Sequence, residues 1–203
     1  MKPTIVQHPL FNFVSDLNLV YRPIELILSE HYRHRLMLQE LQDLVDNPEH
    51  PGATENAQLI RTYLATELPH HEAFEEHDLV PILRRRCQPA DNIDNLLSML
   101  MWDHFVDKDN ADPINIALSA FAKGRRFRDL DGFRENVRRF SAKMKQHIIW
   151  ENRVILPLAK RRLSPSDLVE LGERAAARRR NTLWPSMRME VSDDFFKVGL
   201  RPH

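Results

Sequence analysis

Two stretches of the chain repeat a pattern of residue types that could bind a metal ion. His71 and Glu75 are separated by three residues, and a proline follows the glutamate after five more. His147 and Glu151 repeat this spacing, including the proline. Because residues four apart lie one turn apart on nearly the same face of an α-helix, each pair can point at one spot. An imidazole nitrogen and a carboxylate oxygen together predict half of a site for iron or another first-row transition metal.

Each repeat also has a histidine well upstream of it. His31 precedes His71 by 40 residues, and His104 precedes His147 by 43. This spacing predicts a duplicated helical hairpin, with one histidine on its first helix and His-x-x-x-Glu on its second. Two such hairpins folded together would bring four histidines and two glutamates to one centre. Buried unpaired, these groups would cost on the order of a few kcal/mol each, so a pair of metal ions bridged by the carboxylates explains them best.

The helices that must position these residues are visible in the spacing of the apolar residues. Ser164 and Pro165 have the residue types of an N-cap and a first-turn proline, and they open a shorter last helix. Prolines at 69, 81 and 157 are interpreted as kinks, because the helical pattern resumes after each of them. The five predicted segments span residues 24–47, 54–86, 91–122, 132–163 and 165–179.

Four long helices with short links predict an all-α fold, an antiparallel four-helix bundle with an additional C-terminal helix and tail. We expect residues 1–163 to form the bundle with an N-terminal arm. Residues 164–203 should form the C-terminal helix and tail, packed on the bundle or on a partner subunit. Residues 181–203 lack clear periodicity.

Composition sets the class of protein. The 203 residues are 42% apolar, enough for a core, and the 5 glycines disfavour a β-fold with many tight turns. The charges balance, with 29 Lys and Arg against 29 Asp and Glu, which gives no reason to expect nucleic acid or an acidic membrane as partner.

The compartment is also suggested by the sequence. A single Cys87 cannot form an intrachain disulfide, a thiolate zinc cage or a cysteine-ligated iron–sulfur cluster. No signal-peptide pattern and no apolar run of about 18 residues occur. We therefore expect a cytoplasmic protein without a membrane partner.

The repeated His-x-x-x-Glu-x5-Pro pattern resembles that of the hemerythrin-like, or HHE cation-binding, family over roughly residues 22–163. The resemblance implies a non-haem di-iron centre, with two iron ions bridged by the two glutamates and an oxo or hydroxo group. Its metal ligands would be His31, His71, Glu75, His104, His147 and Glu151.

One position departs from the oxygen-carrying members of that family. The carriers have a second histidine one turn further along the third helix, where this chain has Lys108 with Asp107 beside it. Without that fifth histidine both irons would keep an open position, which favours reaction with small molecules over reversible oxygen carriage. Either side chain could still fold over a metal as a replacement ligand.

The sequence is compatible with three functions. The favoured one is a non-haem di-iron protein that binds, senses or reacts with oxygen, nitric oxide or peroxide, or handles iron in a stress response. A di-iron enzyme of peroxidase or nitric-oxide reductase type needs the same open irons, so the sequence does not separate the two. A metal-free helical adaptor, the third, is disfavoured by six intact ligand positions. A homodimer is compatible with each.

The other histidines and the arginine clusters have simpler interpretations. A Glu67-x-x-His70 motif of the ferritin-like type is rejected because no second copy follows it. The arginines of 84–86 and 161–162 are expected in solvent, and those near Arg178 at a cationic helix end, with an acidic partner as the alternative. No metal role is expected for His8, His34, His50, His70, His77 and His203.

Overall fold

The structure, a computed structural model, describes residues 10, 19 and 21–183, and it confirms the predicted all-α fold. Between residues 21 and 183 no strand occurs. A π-helical turn, Glu75–Leu79, lies between two of the helices, and a 3₁₀ turn, Pro89–Asp91, precedes the helix that begins at Ile93. The helices are α1 (Pro23–Asp46), α2 (Ala53–Phe74), α3 (Val80–Arg86), α4 (Ile93–Phe121), α5 (Leu130–Arg153), α6 (Ile155–Arg162) and α7 (Pro165–Leu183).

The long helices surround two apolar clusters, one at each end of the bundle. Along α1, the buried apolar residues up to Ile27 lie in one cluster and those from Met37 onward lie in the other. Along α2 the order is reversed, because the residues up to Leu68 lie in the cluster of Met37 and Phe74 lies in the cluster of Ile27. Helices α4 and α5 repeat this alternation, and each of the two packs on one helix of the first pair. The four long helices are therefore antiparallel, with a layer of other residues between the clusters.

Two of the three predicted proline kinks coincide with irregular backbone. Pro81 follows the π-helical turn, and Pro157 follows a break at Val154, where φ is −119° and ψ is −62°. Proline lacks an N–H donor and its ring presses on the carbonyl four residues earlier, which explains the widened or broken helix in the turn before these two prolines. Pro69 leaves α2 unbroken.

Helix α7 begins where the sequence predicts. The Ser164 hydroxyl accepts a hydrogen bond from the Asp167 backbone N–H (3.2 Å), and the Asp167 carboxylate accepts one from the Ser164 N–H (2.8 Å). Arg86 holds the same carboxylate through two nitrogens. Helix α7 packs on α1 and on the π-helical turn. The tail beyond residue 183 lies outside the described residues, and the division of the chain at residue 163 stays a prediction.

Several of the arginines expected in solvent or at a helix end make ion pairs within the chain. Arg162 binds Asp91 at 2.8 Å, and Arg178 binds Asp78 at 2.7 Å. Arg179, expected at a cationic helix end, is only 4% exposed and lies between carboxylates of the same chain. A charge buried in a protein needs such partners. Among the described helices, none has the length and apolar character that crossing a membrane requires.

Candidate metal centre

The layer between the two apolar clusters contains the six residues predicted as metal ligands. All six side chains are buried, none with more than 4% of its surface exposed. Each long helix contributes at least one of them, so the site exists only when the whole bundle is formed. The residues are His31 from α1, His71 from α2, Glu75 from the π-helical turn, His104 from α4, and His147 and Glu151 from α5.

The four histidines form two pairs. The ring centroids of His31 and His71 are 5.1 Å apart, and those of His104 and His147 are also 5.1 Å apart. Helices α1 and α2 form one hairpin and helices α4 and α5 the other, so each pair belongs to one hairpin, as the duplication in the sequence predicts.

Glu75 lies between the two histidine pairs. Its Oε2 atom is 3.5 Å from Nε2 of His71, one turn before it on the same hairpin. The same oxygen is 3.3 Å from Nε2 of His104, which belongs to the other hairpin. One carboxylate therefore faces a nitrogen of each pair.

Glu151 occupies the equivalent position from the other side. Its Oε2 atom is 3.4 Å from Nε2 of His147 on the same helix and 2.9 Å from Nε2 of His31 on the first hairpin. Each glutamate thus contacts one histidine of each pair, an arrangement suited to bridging two cations.

Several polar atoms of this layer have no hydrogen-bond partner within the described residues. They are buried, and their contacts with one another lack hydrogen-bonding geometry. Each such atom costs about 1–3 kcal/mol, so its burial calls for a bound ion or another partner. The site fits a cation on this ground. Among the six predicted ligands, these atoms are both carboxylate oxygens of Glu75 and of Glu151, and Nε2 of His31, His104 and His147.

Each histidine is held by its other nitrogen. An acceptor on Nδ1 fixes the ring and places the proton there, which leaves the Nε2 lone pair free for a metal. Three of the four acceptors directly adjoin a predicted ligand in the sequence, and this adjacency is a signal that could have identified them. The acceptors are Asn152 on His31 (2.9 Å), Glu30 on His71 (2.8 Å), Glu76 on His104 (2.7 Å) and Asp107 on His147 (2.6 Å).

Asp107 and Lys108 stand where oxygen carriers are expected to have a fifth histidine. Asp107 is buried and binds His147, so it supports a predicted ligand. Lys108 is 69% exposed and pairs with Asp112 at 2.9 Å. Neither side chain lies in the group of atoms that could hold a cation.

Two histidines without a predicted metal role differ in their surroundings. His77 is exposed. His34 is buried beside the site, with its ring 4.6 Å from that of His71 and 5.8 Å from that of Tyr63. Burial, followed by the charge of His71, lowers the pKa of His34 well below its usual value, so this ring is neutral.

Opposite charges hold the metal-free site together. Burial alone would lower the pKa of His71, but the Glu75 carboxylate opposes it and the pKa rises to about 9. In the same way burial would lower the pKa of His147, but Glu151 raises that pKa to about 11. Protons on the histidines therefore neutralise the carboxylates when no cation does.

Glu30 is ionised for a related reason. Burial would raise the pKa of its carboxyl, but the Arg179 guanidinium and the His71 hydrogen bond hold that pKa well below its usual range. The ionised carboxylate can then accept the N–H of His71.

The residues that build this layer lie within one family match. The model of the hemerythrin HHE cation-binding domain matches residues 22–159, about two thirds of the chain and all six predicted ligand positions. No curated protein matches the chain. The resemblance predicted from the repeated motif is confirmed, and the chain belongs to the hemerythrin HHE cation-binding family.

Proposed function

We propose that this cation-binding protein holds two iron ions, one at each histidine pair. The main support is that Glu75 and Glu151 each lie between the two histidine pairs, within 3.5 Å of a histidine nitrogen of each pair. A donor set of imidazole nitrogens and carboxylate oxygens suits iron. Two nearby cations would also satisfy the buried oxygens and nitrogens that lack other partners.

The proposed centre would serve to bind a small ligand such as oxygen, nitric oxide or peroxide. Two histidines and two shared carboxylates supply four protein donors to each ion, fewer than the six positions that iron commonly uses. Lys108 points to solvent and leaves this region free. Bound iron would supply open coordination positions and redox chemistry. The chain's own residues would orient the histidines and exclude bulk water.

Elemental analysis of protein expressed with sufficient iron tests the metal content. We expect about two irons per chain, because the donors are arranged in duplicate. The His77→Ala variant is the matched control and should contain as much iron as the unaltered protein, since His77 is exposed. A content near zero, or one zinc without iron, would show that the proposal is wrong.

Anaerobic titration of the reduced, iron-loaded protein with nitric oxide tests the ligand. The visible spectrum should change to a saturation point, and the metal-free protein should show no such change. An unchanged spectrum would refute ligand binding even if two irons were present.

A further inference from the structure

Helix α7 lies beyond the residues that the family model matches, yet one of its side chains reaches the candidate metal centre through a single intermediary. Arg179 donates hydrogen bonds to Oε1 of Glu30 and to Oε2 of Glu67, the latter at 2.8 Å. Glu30 uses its second oxygen to accept the Nδ1–H of His71 at 2.8 Å. A continuous chain of buried, charge-assisted contacts therefore runs from α7 to a predicted metal ligand.

The neighbouring arginine of α7 holds the backbone that carries the next predicted ligand. Arg178 donates from Nε (2.9 Å) and from a terminal nitrogen (2.7 Å) to Oδ2 of Asp78. Asp78 is buried and lies in the π-helical turn that begins at Glu75. Through these two arginines, α7 is connected to both members of the first His-x-x-x-Glu repeat.

We propose that Arg179 of α7 positions His71 through Glu30, and that metal binding is coupled to the docking of α7. This inference rests on the proposed metal binding. A carboxylate on Nδ1 fixes the orientation and tautomer of a ligating histidine, and an arginine on that carboxylate fixes its orientation in turn. Because binding free energies are reciprocally linked, an ion that orders His71 must also favour docked α7.

Glu67 offers an internal comparison for this role. It is as deeply buried as Glu30, and it binds the same guanidinium. Its hydrogen-bond partners among the described residues are Arg179 and Thr66, and neither is a predicted ligand. Loss of the Glu67 charge therefore weakens the docking of α7 without removing the support of His71.

The variants Glu30→Gln, Arg179→Gln and Glu67→Gln separate positioning from simple stabilisation. Affinity for Co²⁺, measured by competition with a chelator, should fall about 10–100-fold in Glu30→Gln. It should fall in Arg179→Gln as well, and by more than in Glu67→Gln. The visible spectrum of the Co²⁺ protein should change in the first two variants and stay unchanged in the third, a difference that lost stability alone would not produce.

Hydrogen exchange tests the reciprocal effect on the unaltered protein. Co²⁺ should slow amide exchange in residues 165–183, and Arg179→Gln should abolish this slowing. If Glu30→Gln and Glu67→Gln bind Co²⁺ equally well, or if the metal leaves exchange in α7 unchanged, the inference is wrong. The comparison of Glu30→Gln with Glu67→Gln tests the inference even if Arg179→Gln fails to fold. An unaltered protein that binds neither Co²⁺ nor iron would overturn the proposed function itself.

Discussion

At the scale of single residues, the two glutamates differ from the histidines in what they connect. The Nε2 atom of each predicted histidine ligand lies near one of the two glutamates. Glu75 and Glu151, in contrast, each lie near one histidine of each pair. Removal of one glutamate would leave both proposed cation positions short of a donor, whereas removal of one histidine would affect one of them.

We expect Glu75→Ala and Glu151→Ala to lose most of the bound iron, and His77→Ala to lose none. His77 follows Glu75 by two residues, roughly 200° round a regular helix, and it is exposed. Iron per chain after gel filtration is the measurement. Equal losses in all three variants would mean that the bridging residues have been assigned wrongly.

The pH dependence of the metal-free protein follows from His71 and His147. Their folded-state pKa values of about 9 and about 11 lie above the ordinary value of 6.5. A raised pKa contributes stability that is complete below pH 6.5 and is lost as the pH rises through the folded value.

We therefore expect the melting temperature of the metal-free protein to fall between pH 6.5 and pH 9. The metal-loaded protein should show a smaller decrease, because a metal binds the neutral imidazole and needs no proton there. Thermal unfolding followed by circular dichroism at several pH values compares the two forms. A metal-free protein that became more stable over this range would contradict the charge pairing described for the site.

Helical spacing places His71 with Glu75 and His147 with Glu151, and the duplication in the sequence adds one upstream histidine to each pair. The structure brings all six side chains into one buried layer. The acceptors on Nδ1 could not be assigned in the same way. Asp107 binds a histidine 40 residues away on another helix, and only the packing of α4 on α5 brings them together. The burial of His34 could not be assigned from spacing either, since Tyr63 and His71, which its ring contacts, come from α2.

At the scale of helices, the repeated Glu-x5-Pro pattern has two different outcomes. After Glu75 the helix widens into a π-helical turn, and after Glu151 it breaks at Val154. The residue at the position of Val154 in the first repeat is Asp78, which Arg178 holds from α7. Proline predicts an irregular helix in both repeats. Val154 has no charge with which to bind an arginine of α7 as Asp78 does, and sequence spacing does not show that ion pair.

The N-terminus of α7 should be sensitive to its capping residues. Ser164→Ala removes the side-chain acceptor of the Asp167 N–H and should lower the free energy of unfolding by about 1 kcal/mol. Asp167→Asn should lower it further, because Arg86 then loses a charged partner. Urea unfolding measures both changes. Glu173→Ala, at an exposed position of the same helix, is the control. An effect of Ser164→Ala no larger than the control's would show that the cap contributes nothing.

At the scale of the whole molecule, periodicity was sufficient to predict the antiparallel bundle, because each long helix buries one apolar face. The docking of α7 could not be predicted from periodicity. Arg179 lies 149 residues from Glu30 and 112 from Glu67, and an ion pair leaves no periodic trace in a sequence. Three arginines in a row are typical of a cationic helix end, and only the fold shows which carboxylates surround them.

The position of the glutamates has a mechanical consequence. Glu75 comes from the first hairpin and contacts a histidine of the second, and Glu151 does the reverse. Each hairpin thus gives one side chain and receives one, as two subunits exchange elements in a domain-swapped dimer, but here within a single chain. Neither half of the bundle contains a complete set of donors. Any movement that separates the hairpins would therefore open both proposed cation positions at the same moment.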